Sequence, residues 1–220
     1  MSEHSEQRSP PSISVPHRSL LRCTVRLMRP DDALTIARYH KEAIPTAFLS
    51  RLGVRFLTHL YLAIACSAKA FVFVAVDPSD RVIGFVSGAT EVKGLYRSVL
   101  LRRGWLYALI LIPHVLRWST VRRILETLFY PARVSREYPE PELLSIVVEP
   151  QAQGSGAATA LLEAVKEEFR RRNCPVFRVL VGADLERPNA YYRKHGFKLI
   201  DRIDSHGVPS NVYTLETGLK

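Results

Sequence analysis

The chain has 220 residues, 47% of them hydrophobic, and a formal net charge of +10, which suits one domain with a sizeable core and room for a modest insertion. Its cysteines, Cys23, Cys66 and Cys174, are odd in number and form no CxxC pair, so a disulfide framework or zinc site is not expected; they fit reduced thiols in the cytoplasm. The basic excess is local: no acidic residue stands between Glu91 and Glu126, while seven basic residues run from Lys93 to Arg123. A nucleic-acid binder more often spreads its basic residues over recognition elements with exposed aromatics among them, so no nucleic-acid partner is expected.

Residues 1–19 are polar, rich in Ser and Pro, and without periodicity, which reads as a disordered tail; no apolar stretch there suggests a signal peptide. Residues 21–29 alternate apolar and polar as a half-buried strand does. Pro30-Asp31-Asp32 then suits the first turn of a helix whose apolar face carries Ala33, Ile36, Ala37, His40 and Ile44, and Pro45 ends it. Over 50–66 the recurrence of Leu52, Phe56, Leu60 and Ile64, widened by Tyr61, predicts one further helix packed on a core. Residues 71–76 and 82–87 predict two strands of an antiparallel hairpin across Asp77-Pro78-Ser79-Asp80.

Residues 94–130 are long, basic and apolar, and read as a helical insertion of two helices broken near Pro113. Its apolar run over 105–115 is too short to span a bilayer, which takes about 20 residues. Burial in a helical hairpin, peripheral contact with an anionic membrane at the inner surface, and a basic rim for a phosphorylated acceptor all fit this composition.

Residues 143–169 are the most informative stretch. An apolar strand stops at Glu149-Pro150; a small-residue loop follows; then Ala158, Leu161, Leu162, Val165 and Phe169 mark one face of a helix. Strand, glycine loop and helix start together present unpaired N–H groups to a phosphate. No lysine stands in the loop, so it is not a Walker loop, and Thr159 occupies the place of the third glycine of a dinucleotide fingerprint. Downstream, 176–181 predict a strand, 184–195 a short helix capped by Gly196, and 198–203 and 211–216 two last strands.

Gln153, Gly156 and Ala158, with Val148-Glu149-Pro150 just ahead, match the coenzyme A loop pattern Gln/Arg-x-x-Gly-x-Gly/Ala, and Asn189, Tyr191, Tyr192, Lys194, Gly196 and Phe197 match a second motif. On these residues the chain resembles the GCN5-related N-acetyltransferases (GNAT). The resemblance is motif-specific over 142–197 and topological over 20–216. It implies an α/β (α+β) fold with a mixed, mostly antiparallel central sheet flanked by helices, spanning 20–217 and carrying the 94–130 insertion. It also implies acetyl-CoA as cosubstrate, no metal, and a primary amine of a small molecule, an amino sugar or similar, as acceptor.

The same resemblance implies site roles. The backbone of Ile146, Val147 and Val148 would pair with the pantetheine arm, and a backbone N–H near Val148 could polarise the thioester. Gln153, Gly154, Ser155, Gly156, Ala157 and Ala158 would grip the pyrophosphate, and Asn189 would offer an amide contact; Leu185 stands where many relatives carry a second asparagine. Tyr192 stands at the usual general acid, a phenol of pKa about 10 suited to protonate a departing thiolate. Glu142 is the candidate general base, although a solvated strand-edge acid fits equally; Glu149 reads as structural. With no Ser/His/Asp or Cys/His set, direct transfer in a ternary complex is expected rather than an acyl-enzyme. Transfer of another acyl group or to a hydroxyl, and a non-catalytic acyl-CoA-binding module, stay open, as does the oligomeric state.

Overall fold

The computed structural model describes residues 23–45, 48–95, 138–205 and 208–219. The expected N-terminal tail, all but the first two residues of the expected insertion, and the turn at His206-Gly207 lie outside the described residues. Strand β1 (Thr24–Leu27) leads through a 3-10 turn (Pro30–Asp32) into helix α1 (Ala33–Ala43). The Asp32 carboxylate fixes that junction, accepting hydrogen bonds from the Arg26 guanidinium (2.7 and 3.1 Å) and the Arg29 N–H (2.7 Å).

The single helix expected over 50–66 is two: α2 (Phe48–Arg51) and α3 (Gly53–Ala65). Gly53 has φ +89°, left-handed backbone that breaks the run even though the apolar spacing continues across it. Hydrophobic periodicity reports which face is buried, and that face survives the break.

The hairpin forms as expected, from β2 (Ala70–Val76) and β3 (Val82–Ala89), and β4 (Glu142–Val148) pairs with β3. Helix α4 (Ala157–Arg171) follows, then β5 (Val176–Gly182), α5 (Glu186–Lys194), β6 (Lys198–Ser205) and β7 (Val208–Glu216). The strands make one seven-stranded sheet in the order β1-β2-β3-β4-β5-β7-β6. Every pairing is antiparallel except β4 with β5. This is the mixed, mostly antiparallel sheet flanked by helices that the motifs implied.

Each face of the sheet buries its own core. One is built from α1, α3 and sheet residues such as Val74, Phe85 and Val147. The other joins α4 to residues of β2–β5 and β7, including Leu143, Leu161, Phe177 and Tyr213. Burying a side chain such as Leu161 stabilises by about 1.5–3 kcal/mol. An aromatic chain crosses this second core from β2 to β5 and beyond: Phe71 to Phe169 (5.1 Å between centroids), Phe169 to Phe177 (4.7 Å, stacked), Phe177 to Phe197 (5.6 Å). Such pairs add to the energy of area burial.

Helix α4 has clear ends. Gly156, at φ +91°, turns the chain into it, and Asn173, at φ +57°, turns the chain out, with the Cys174 N–H bonded back to the Phe169 carbonyl (2.9 Å). Arg170 and Arg171 in its last turn complement the negative end of the helix dipole.

Candidate active site

The site begins with a shortage of pairing. Strand β4 is matched to β3 along most of its length, from Glu142↔Ala89 to Val148↔Gly84. Its parallel ladder with β5 contains two pairs only, Glu142↔Arg178 and Leu143↔Val179. Beyond Leu143 the strands part, so Ile146, Val147 and Val148 stand on an edge that β5 does not use. A half-buried strand edge left open in mid-sheet offers its N–H and C=O groups to a partner, and an extended ligand carrying amides supplies one.

A bulge shapes the same strand. The register with β3 passes from Ser87↔Ser145 to Gly88↔Leu143, leaving Leu144 as the extra residue. Leu144 and Val147 pack on the first core, while Leu143, Ile146 and Val148 pack on the second. The bulge therefore sits where the strands part.

Past Val148 the chain makes a 3-10 turn (Pro150–Ala152), then the expected loop. Gly154 and Gly156 both take positive φ, +81° and +91°. A Cβ built on Gly156 meets nothing within 4 Å, so this glycine is required by its backbone conformation and faces open space. The Ser155 hydroxyl accepts the Ala157 N–H (3.3 Å), and Ala160 N–H bonds Gly156 O (3.0 Å). The N–H groups of Ala158 and Thr159 belong to the helix's first turn, whose donors have no acceptor within the helix, and no acidic residue lies in that turn to compete for an anion. Gln153, Gly154 and Gly156 are exposed, and Ser155 and Ala158 are partly so. The loop fits a pyrophosphate at the end of the parted strands.

Helix α5 is latched to this loop helix. Tyr191 donates its hydroxyl proton to the Ala158 carbonyl (2.9 Å), and His195 lies 3.4 Å from the Thr159 hydroxyl. Tyr191, expected as a packing residue, thus ties the two helices together. Tyr192 is buried in the second core, its ring against Phe197 (5.0 Å) and Tyr213 (6.3 Å). Burial pushes its pKa well above the ordinary phenol value, and its hydroxyl makes no hydrogen bond among the described residues.

Asn189 is placed differently from expectation. Its amide nitrogen donates to the carbonyls of Gly182 (2.8 Å) and Leu185 (2.6 Å). Its oxygen accepts from Asn211 Nδ2 (2.7 Å) and the Tyr213 hydroxyl (2.9 Å). All four hydrogen-bonding positions are in use, so Asn189 staples α5 to β5 and β7, one turn before Tyr192, and has no N–H left for a cofactor.

Glu142 is not a solvated edge acid. Its Oε2 accepts from Arg178 Nε (2.9 Å) and lies 2.8 Å from Nη2. Burial raises its pKa, opposed by the Arg178 charge. Because Leu143 and the flanking Phe177 and Val179 point into the second core with Tyr192, Glu142 and Arg178 point to the opposite face of the sheet. The structure thus sets Glu142 and Tyr192 on opposite sides of the place where the strands part. Glu149 is structural, as expected: Tyr39 (2.7 Å) and Arg81 (2.9 Å) donate to its Oε2.

Two features had no signal in the sequence. One is Arg178, a charged residue in an apolar strand. The other is a buried pair, His40 Nδ1 with the Tyr61 hydroxyl (2.6 Å), with Ser145 of the bulge beside it. Burial pushes His40 down to about 4 and the Tyr61 hydroxyl upward. Among the described residues no cluster of three or more His, Cys, Asp or Glu side chains could hold a metal.

Parted parallel strands running into a glycine-rich helix start suit an extended, phosphate-ended ligand. The family model of the acetyltransferase (GNAT) family matches residues 52–197, and the chain belongs to that family: it is an acetyl-CoA-dependent N-acetyltransferase. No curated protein matches the chain by sequence. Solved structures share the fold. An N-acetyltransferase from Staphylococcus aureus Mu50 superposes with a TM-score of 0.60 at 15% identity, over 89% of this chain and 99% of its own. A variant of the spermidine N-acetyltransferase SpeG from Vibrio cholerae gives 0.55 at 13% identity, over 89% of this chain and 94% of its own. The structure of yncA from Salmonella typhimurium with its cofactor acetyl-CoA gives 0.53 at 13%, again over 89% and 94%.

Proposed function

We propose that the chain acetylates a primary amine of a small molecule by direct transfer within a ternary complex. The observation that carries this reading is the two-pair ladder between β4 and β5, which leaves a strand edge beside both an acid and a base. The free edge of Ile146, Val147 and Val148 receives the pantetheine arm, and the loop grips the pyrophosphate through the N–H groups of Gly154, Gly156 and Ala158, those of Gln153, Ser155 and Ala157 being bonded to Pro150 O, Ala152 O and the Ser155 hydroxyl. Asn189 is a positioning residue in this reading, holding α5 so that Tyr192 faces the sulfur.

Acetyl-CoA supplies an acyl group activated as a thioester. Glu142 takes a proton from the amine, whose nitrogen then forms a bond to the carbonyl carbon as the carbon–sulfur bond breaks. Tyr192 gives its proton to the departing sulfur, so acid and base act from opposite faces. Burial on the Glu142 side raises carboxylate basicity, and burial of Tyr192 keeps it protonated at the pH where an amine is free to react. A cytoplasmic location is part of this proposal; separately, among the described residues no helix is long and apolar enough to cross a membrane. Contact of 94–130 with an anionic membrane is a separate proposal, tested by sedimentation of the intact protein with anionic vesicles.

Calorimetry with acetyl-CoA, followed by thiol release across an amine panel, tests the reading. Tyr192→Phe is expected to bind acetyl-CoA normally while kcat falls by about a hundredfold or more, the range of general acid catalysis. An unchanged kcat across a pH series would remove Tyr192 from the mechanism. Tight binding with no thiol release from any amine would favour a non-catalytic acyl-CoA-binding module.

A further inference from the structure

The proposed roles leave one buried charge incompletely used. Arg178 is 2% exposed, and its contacts to Glu142 engage Nε and Nη2 only. The third nitrogen, Nη1, is buried with no hydrogen-bond partner among the described residues. A buried donor left unmet is costly, and native proteins satisfy nearly all of theirs, so this one calls for an explanation. Both contacts to Glu142 are made at Oε2, which leaves Oε1 for another donor. Glu142 and Arg178 are cross-strand partners in the ladder next to the place where β4 and β5 part, on strands roughly 5 Å apart, so the open donor and that carboxylate belong to one residue pair.

The complement of that pair is one molecule with a cation and an anion close together. Oε1 takes an ammonium. Nη1, part of a permanently charged guanidinium, takes a carboxylate in a charge-assisted bond. A polyamine offers nothing to Nη1 and would set a second cation beside Arg178; an amino sugar offers only a neutral hydroxyl.

We propose that the acceptor is an α-amino acid, its carboxylate held by Arg178 and its α-nitrogen by Glu142. This rests on the acyl-transfer reading above and narrows its acceptor. The α-ammonium gives one proton to Glu142, the α-nitrogen bonds to the acetyl carbon as the carbon–sulfur bond breaks, and the sulfur leaves with the Tyr192 proton; the second nitrogen proton passes through solvent to restore the Tyr192 phenol, giving an N-acetyl amino acid and coenzyme A. One α-carbon joins the two recognised groups, so the same contacts that bind the acceptor aim its nitrogen.

The test compares each proteinogenic L-amino acid with the amine that has the same side chain but no carboxylate, and adds glucosamine and spermidine. Thiol release is read from the full chain with acetyl-CoA. At least one amino acid is expected to exceed its decarboxylated partner by about a hundredfold or more in kcat/KM, because a site built for a polar group rejects the analogue lacking it. Arg178→Met is expected to bring that ratio close to one, and Arg178→Lys, which keeps the charge without the fork, to an intermediate value. If Arg178→Met does not fold, the lysine variant and the wild-type ratio decide. A wild-type ratio near one, or a ratio unmoved by either variant, overturns the proposal. Release with glucosamine or spermidine alone also overturns it and leaves the acyl-transfer reading standing. Binding of acetyl-CoA with no release from any amine overturns both.

Discussion

At Asn189 one side chain joins three elements, and its loss would be felt in stability before chemistry. Asn189→Leu keeps the volume but leaves two carbonyls, one amide and one hydroxyl without their partner. We expect a loss of about 3 kcal/mol in urea unfolding, with acetyl-CoA affinity of the folded fraction nearly unchanged. A larger effect on affinity than on stability would restore Asn189 as a cofactor contact. His40 carries a second residue-scale prediction. Its folded pKa of about 4 lies below the unfolded value near 6.5. Between those values the unfolded chain binds a proton that the folded chain does not. Stability is therefore full above pH 6.5 and falls as pH drops toward 4, by up to about 1.4 kcal/mol per pH unit. His40→Asn should flatten that slope relative to wild type in denaturation midpoints at pH 7.0, 5.5 and 4.5.

The elements that position the cofactor were largely legible because their signals are local. The apolar run of β4, the left-handed glycines and the helical stripe of α4 each follow from a few neighbouring residues. Partners set by long-range pairing were not legible. Glu142 meets Arg178 through a parallel register between residues 36 apart, and nothing near either residue announces it. Asn189 matched a family motif, yet its direction depends on Asn211 and Tyr213 of β7. The break at Gly53 escaped because a pattern of apolar spacing does not register a single positive φ. Gly156 illustrates the reverse case. Gly156→Ala should fold, losing about 1–2 kcal/mol for its left-handed φ. Its new methyl would occupy the open space above the loop, so calorimetry should show a larger loss in acetyl-CoA affinity than in stability.

Across the whole molecule, the sheet gives up backbone bonds at its middle and recovers cohesion from side chains. Strands β3 and β4 on one side, and β5 and β7 on the other, are laddered along their lengths, while the parallel pair between them is short. The aromatic chain from Phe71 to Phe197 crosses beneath that gap on the α4 side. Phe169→Ala should cost about 3–5 kcal/mol by differential unfolding measurements. It should also weaken acetyl-CoA binding although Phe169 is fully buried and lies in the core. A variant that lost stability with unaltered affinity would separate the aromatic chain from the site.

The short ladder leaves the two halves of the sheet joined by two residue pairs and by the side-chain core beneath them. Under the proposed function, a thioester in the wedge beyond those pairs would stand as an eighth strand bridging the two halves, and its departure as free coenzyme A would leave them held by the two pairs and the core alone.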